Sequence, residues 1–381
     1  MTPRVTLKLA LLTNPGGIIG TVAPAFVNAF VASGMSIAVA SRMAAAEFFA
    51  MAATLLLAPL LVRRIDRRWM ATVSLVCAVL GQLLSLSADT PAFIFSCRVV
   101  AGAGEGALFA VALASLSAAP SPERAFGMAI LSNQVAGTLL LAAIAWLTKL
   151  SPANVALWVA GGFIAIHALL IPALPRSSGG GQDSQGRTAG KGAAFAILPI
   201  LCGLGGMALL SAGFGVVWPM IGQVGVAADI SPNVLTTTLS VVGLGGIAGG
   251  LAATMAGSRF GDQWPVVVGA LMMALCMPLL ASHMFAVAAV LTLFCWAFNL
   301  PYFLGFLAKR DEAGGLAVLT SAMIPFGIAA GQLVAGPIVQ SVGIAGIAPA
   351  GSIAVVGALA MKLIGSRVIR GSPDIASTIT D

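Results

Sequence analysis

Runs of about twenty apolar residues follow one another along this chain. That length is the tightest constraint on its fold, because roughly twenty helical residues cross the hydrocarbon core of a bilayer. Cut at its polar and Gly/Pro-rich clusters, the sequence divides into twelve runs. They lie at residues 9–33, 38–62, 69–88, 91–117, 124–148, 152–175, 193–221, 231–257, 264–282, 284–308, 313–340 and 342–365. Hydrophobic residues make up 59% of the chain and charged residues 8%, against about 25% charged in a soluble domain. A surface so poor in charge must face lipid. The expected class is an all-α membrane protein of twelve transmembrane helices. The first run is interrupted at Asn14-Pro15-Gly16-Gly17 and is too long for a secretion signal, so it reads as the first span.

One connection is long. Residues 176–192 read RSSGGGQDSQGRTAGKG, a polar stretch with the composition of a flexible cytoplasmic linker. It separates an N-terminal six-helix bundle at 1–175 from a C-terminal six-helix bundle at 193–370, with a disordered tail at 371–381. Lysine and arginine concentrate on the cytoplasmic side of membrane proteins. Placing both termini there puts all but Arg42, Arg98 and Lys149 of the 19 cations on that side, Lys362 among them. The formal charge of +7 then reports orientation. No nucleic-acid groove can be assembled from cations scattered between apolar runs. The expected location is the cell inner (plasma) membrane, as a multi-pass monomer in the lipid bilayer.

Cys77, Cys97, Cys202, Cys276 and Cys295 all fall in apolar runs without CxxC or CxxH spacing, and read as small buried hydrophobes. Met273 and Met277 are four apart, but no histidine joins them on their run. No metal site and no cofactor is expected. Nor is enzymatic activity: there is no HExxH, no pair of aspartates within a run and no Ser/His constellation, and no phosphate-binding G-x-x-x-x-G-K-[ST] loop marks an ATP-driven pump.

Four ionisable residues lie inside runs: Arg42 and Glu47 on the second, Arg98 and Glu105 on the fourth. Each costs on the order of 3 kcal/mol at the bilayer centre. Both runs are read as descending from outside to inside, at about 1.5 Å per residue. Arg42 then sits near the outer interface, where it can snorkel, and Glu47 and Arg98 sit at similar depth, so an ion pair between them is allowed. Arg98 and Glu105 are two turns apart on one helix face, with Gly102 and Gly106. Two readings stay open: a switch in which separating Glu47 or Glu105 from Arg98 drives proton uptake or release, and a static bridge between two helices.

After the second run the chain reads Val62-Arg63-Arg64-Ile65-Asp66-Arg67-Arg68. This resembles the loop signature G-x-x-x-D-R-x-G-R-R of the major facilitator superfamily. Asp66 and Arg67 match its central pair, while Val62 and Trp69 replace its glycines. A weaker copy, Gly257-Ser258-Arg259-Phe260-Gly261-Asp262, lies about half the chain away, as a duplicated unit requires. Arg98-Val99-Val100-Ala101-Gly102-Ala103-Gly104 is similar to the family's R-x-x-x-G-x-G motif on span four. The resemblance implies a secondary transporter whose two six-helix halves rock about a central site. In it, Asp66, Arg67 and Asp262 would form a gating loop, against the plainer reading of a topology anchor. The family's drug–proton antiporters carry G-P-x-x-G-G on span five. Here Asn133-Gln134-Val135-Ala136-Gly137 has no proline, which leans away from efflux.

The resemblance also places spans one, four, seven and ten around the cavity. Their polar and aromatic residues Asn14, Arg98, Trp218, Asn299 and Tyr302 become candidate substrate contacts. Asn14-Pro15-Gly16-Gly17 and Asn299-Leu300-Pro301-Tyr302 predict broken helices in both halves, the pattern of a transporter binding site. Glu47, Arg98 and Glu105 become the candidate proton-coupling set. The expected function is proton-coupled transport of a small organic solute, with drug or metabolite efflux as the alternative.

Overall fold

The computed structural model describes residues 2–62, 65–86, 90–116, 119, 122–148, 155–175, 197–257, 259, 261, 263–308 and 315–371. The expected linker, the tail beyond Gly371, Asp262, Arg63, Arg64 and Lys149 lie outside them. Among the described residues the chain is all helix, without strands. The N-terminal half comprises α1 (Pro3–Leu11), α2 (Asn14–Gly17), α3 (Ile19–Ala32), α4 (Ile37–Val62), α5 (Arg67–Leu84), α6 (Pro91–Leu116), α7 (Pro122–Leu147) and α8 (Val155–Ile166), the last continued by a tight 3₁₀ turn to Ala173. The second half comprises α9 (Ile197–Val217), α10 (Ile221–Ala227), α11 (Pro232–Val241), α12 (Gly243–Ala256), α13 (Trp264–Leu279), α14 (Phe285–Ala308), α15 (Gly315–Val342) and α16 (Ile347–Gly371).

Among the described residues ten helical segments are long and apolar enough to cross a membrane, fewer than the twelve expected. The two that fall short stand where spans three and nine were expected. Helix α5 begins with Arg67 and Arg68 and carries Gln82, and α13 has only 16 residues. The predicted breaks are half met. Span one is interrupted on either side of the Asn14–Gly17 turn, but α14 runs unbroken through Pro301. The second half is interrupted instead in span seven, and again in span eight between α11 and α12. In span seven Trp218–Met220 form a 3₁₀ turn, because Pro219 disfavours α geometry in the residue before it.

Lys362 is a further correction. Helix α16 reaches Gly371, so Lys362 sits inside it rather than in a cytoplasmic loop, and it is buried. Its ammonium bonds the Tyr302 carbonyl and lies 5.0 and 4.9 Å from the ring centroids of Phe303 and Phe306. Aromatic faces of this kind offset part of the desolvation of a cation.

Helix α5 starts where Asp66 caps it. The carboxylate accepts from the backbone N–H groups of Arg68 and Trp69, both at 3.0 Å. Arg68 then donates to the carbonyls of Leu174 and Pro172, each at 2.7 Å, tying this corner to the end of span six. Loss of such a cap costs about 0.5–2 kcal/mol. Asp66→Ala is expected to lower stability by that amount, read as a fall in the thermal unfolding midpoint of the detergent-purified protein.

The two halves meet along α4 against α15 and along α7 against α11 and α12. One apolar core, including Phe26, Phe30, Phe48, Leu141, Phe214, Trp218, Phe285 and Ile328, draws on both halves. At the opposite end each half has its own. Leu9, Met70, Leu108 and Ile171 pack within the first half, and Phe306 with Leu307 within the second. The halves are therefore joined at the end that carries the α3–α4 and α10–α11 turns, and have separate cores at the end that carries Pro3 and Gly371.

Candidate functional site

The buried ionisable residues converge on one cluster inside the first half. Helices α4 and α6 cross at Gly102, where an added Cβ would overlap the Glu47 carbonyl, and again at Gly106, where it would lie 2.8 Å from the Met51 carbonyl. Helix α5 approaches α6 as closely at Gly81, 2.6 Å from the Cys97 carbonyl on the same measure. Small residues let helix backbones come this near in a membrane. The close approach leaves the long side chains nowhere to go but toward each other.

Glu47, Gln82, Arg98 and Glu105 are each at most 1% exposed. Arg98 Nη1 donates to both Glu47 oxygens at 3.2 Å, the one salt bridge among the described residues. Its Nη2 donates to the Gly81 carbonyl at 3.1 Å and to Gln82 Oε1 at 3.0 Å. Gln82 Nε2 donates to Glu47 Oε1 and to Glu105 Oε1, both at 2.9 Å. Glu105 Oε2 has no hydrogen-bond partner. The guanidinium also stacks over Phe26 on α3, 5.6 Å from the ring centroid. A buried charge survives only with such pairing. Two carboxylates face one guanidinium, so with every group ionised the cluster carries one uncompensated negative charge. One proton on either carboxylate removes it.

The pairing of Glu47 with Arg98 was expected from depth alone, but the joint between Arg98 and Glu105 was not. They meet through Gln82, a residue singled out by no motif. Its signal was a carboxamide in the middle of an otherwise apolar run.

The other candidates are spread more widely. Asn14 Oδ1 accepts from Ser132 of α7 at 3.0 Å, within the first half. Trp218 is fully buried at the seam and donates Nε1–H to the Thr21 carbonyl at 3.2 Å. It stacks on Phe214, which in turn stacks on Trp296 at 4.3 Å between centroids. Asn299 is buried, donates to the Cys295 carbonyl at 2.8 Å, and packs against Gly269 of α13. Tyr302 bonds the Gly257 carbonyl at the end of α12, 3.3 Å away. Arg98 is committed to the cluster just described. Asp66 serves as the helix cap, and beside it Arg67 Nε is buried without a hydrogen-bond partner. At the seam Asn28 of span one accepts from Gln223 at 3.0 Å, and Phe49, which no motif marked, meets the Phe326 ring at 5.7 Å between centroids.

Residues 16–203 match the family described as Major Facilitator Superfamily. Among curated proteins none matches the sequence at a significant level. Solved structures of similar fold cover nearly the whole chain. The nucleoside transporter NupG, crystallised as a mutant, shares 13% identity, with 96% of this chain and 98% of that one aligned and a TM-score of 0.72. The xylose transporter XylE from E. coli, in an inward open conformation, shares 15% identity over 94% and 95% of the two chains, with a TM-score of 0.68. A bacterial homolog of the human lysosomal transporter Spinster, inward-facing and unoccupied, shares 14% over 96% of each, at 0.64. By sequence, residues 16–203 are similar to the Major Facilitator Superfamily, and by fold the chain is similar along its length to these solved transporters. It is a multi-pass membrane protein with the architecture of a transporter.

Proposed function

We propose that the protein is a proton-coupled secondary transporter of a small organic solute in the cell inner membrane. In this reading twelve helices cross the membrane, with both termini in the cytoplasm, and α5 and α13 complete the count. The two halves rock about a site between them. The observation that carries the reading is the cluster of Glu47, Gln82, Arg98 and Glu105. A charged cluster sealed inside a membrane bundle marks function by default, because it is costly to keep. With one guanidinium for two carboxylates, the cluster's charge balance changes with a single proton. Rearrangement of α4 against α6 would alter that balance, and this is the coupling step proposed.

The distribution of cores supports the state. With the termini in the cytoplasm, the shared core closes the outer end and the separate cores lie at the inner end, which corresponds to an inward-facing conformation. Trp218, with Phe214 and Trp296, supplies the aromatic surface on the second half. Asn14, Asn299 and Tyr302 remain contacts for the solute, or for the rearrangement that admits it. Asp66, Arg67 and Asp262 are proposed to gate the inner end.

Glu105→Gln keeps the shape and a hydrogen-bond acceptor for Gln82, but it fixes the cluster at zero net charge. Solute uptake into proteoliposomes driven by an imposed pH gradient is expected to fall at least tenfold in this variant, with counterflow exchange of solute retained. Glu47→Gln is expected to lose both, because it removes the carboxylate that forms the salt bridge to Arg98. A pH-gradient response equal to wild type in both variants sinks the proton-coupled reading.

A further inference from the structure

A second site lies on the outside of the bundle. Residues of α4 and α6, with one of α15, line an open groove of about 900 Å³. Arg42 stands at one end and Ala53 at the other, with Phe49, Phe95 and Val99 along the walls and Leu333 contributed by the second half. Apart from Arg42 the groove is almost wholly apolar. The Arg42 side chain is exposed, and among the described residues its one protein bond is from Nε to the Ala38 carbonyl at 3.3 Å. No described carboxylate pairs with it. Two guanidinium nitrogens are thus presented outward in a fork that suits phosphate oxygens.

The dimensions match a lipid. From Arg42 to Ala53 the helix rises about 16 Å. One leaflet of hydrocarbon is about 15 Å deep, half of a core about 30 Å thick. Arg42 lies just over one turn inside the start of α4 at Ile37, the depth at which an arginine snorkels to the headgroup level. We infer that the groove binds one anionic phospholipid, its phosphate on Arg42 and an acyl chain lying between α4, α6 and α15. Because Leu333 belongs to the other half, the groove has this shape only while α4 and α15 are packed as they are here. A lipid that fits it therefore favours this arrangement of the halves over any in which they separate.

The test is native mass spectrometry of detergent-purified protein titrated with phosphatidylglycerol or with phosphatidylcholine of the same chains. Wild type is expected to retain one phosphatidylglycerol at least tenfold more tightly than phosphatidylcholine. Arg42→Ala should abolish that preference and Arg42→Lys should keep part of it. Val99→Trp, which fills the groove and leaves the cation in place, should lose the lipid. Arg259→Ala, on an exposed cation elsewhere, should change nothing. Unfolding midpoints without lipid show that each variant is folded. The inference is overturned if Arg42→Ala retains phosphatidylglycerol as wild type does, if Val99→Trp does, or if glycerol phosphate without acyl chains displaces the lipid at equal concentration.

Discussion

Arg98→Ala will be the most damaging single substitution in the first half. It removes the one cation facing Glu47 and Glu105, and it leaves Gln82 Oε1 without its donor. Breaking a buried pair from one side costs about 3–5 kcal/mol, because the remaining charge has no compensation. The purified variant is expected to unfold at a much lower temperature and to transport nothing. Removing the opposing charge as well should restore part of the loss. The double variant Glu47→Gln with Arg98→Met is expected to recover most of the stability but no solute accumulation against a gradient. Thermal unfolding and proteoliposome uptake on the same preparations separate the two. Equal stability of the single and double variants would show that Glu47 and Arg98 are not energetically joined.

Gly102→Val will come next. There is no space for a Cβ between α6 and the Glu47 carbonyl, so the helices must part. Overpacking a well-filled interior costs about 1–3 kcal/mol, and occasionally more. The larger consequence is geometric. Glu47 lies on the helix that is pushed away, and its carboxylate is held by Arg98 and Gln82 at 2.9–3.2 Å. A shift of about an ångström takes these contacts out of hydrogen-bond range. Coupling to the pH gradient should be lost even in the fraction that folds, whereas Gly127→Ala, where a Cβ meets nothing within 4 Å, should behave as wild type. Uptake assays at matched protein content check both.

The architecture was legible in the sequence because membrane helices announce themselves by length and by the apolar character of whole segments. The ion pair between Glu47 and Arg98 was legible for a related reason. In a straight helix depth follows from residue number, and two charges of opposite sign at one depth have few other partners. Gln82 was not legible, since an uncharged amide in a span is cheap enough to pass unnoticed. Its role depends on how α5 is rotated against α6, which the close approach at Gly81 decides. The continuity of span ten is not legible for a comparable reason. Pro301 removes one donor from α14, but the helix continues through it, whereas at Trp218-Pro219 the helix gives way to a 3₁₀ turn. The buried position of Lys362 is not legible either, because the positive-inside pattern counts charge and not the side chains that pack beside it. Phe303 and Phe306, two helices earlier in the fold, make its buried position tenable.

The uneven distribution of the apolar cores has an energetic consequence. At one end the halves bury a common surface, and at the other each buries its own. Apolar burial is non-directional and scales with area. If opening the shared core at one end is matched by a comparable closure at the other, the two arrangements trade area for area, and their difference stays small although each contains a large core. The bundle then behaves as a see-saw with nearly equal arms. A protein balanced in this way can be tipped by a perturbation worth a single order of magnitude in binding or in proton activity, about 1.4 kcal/mol.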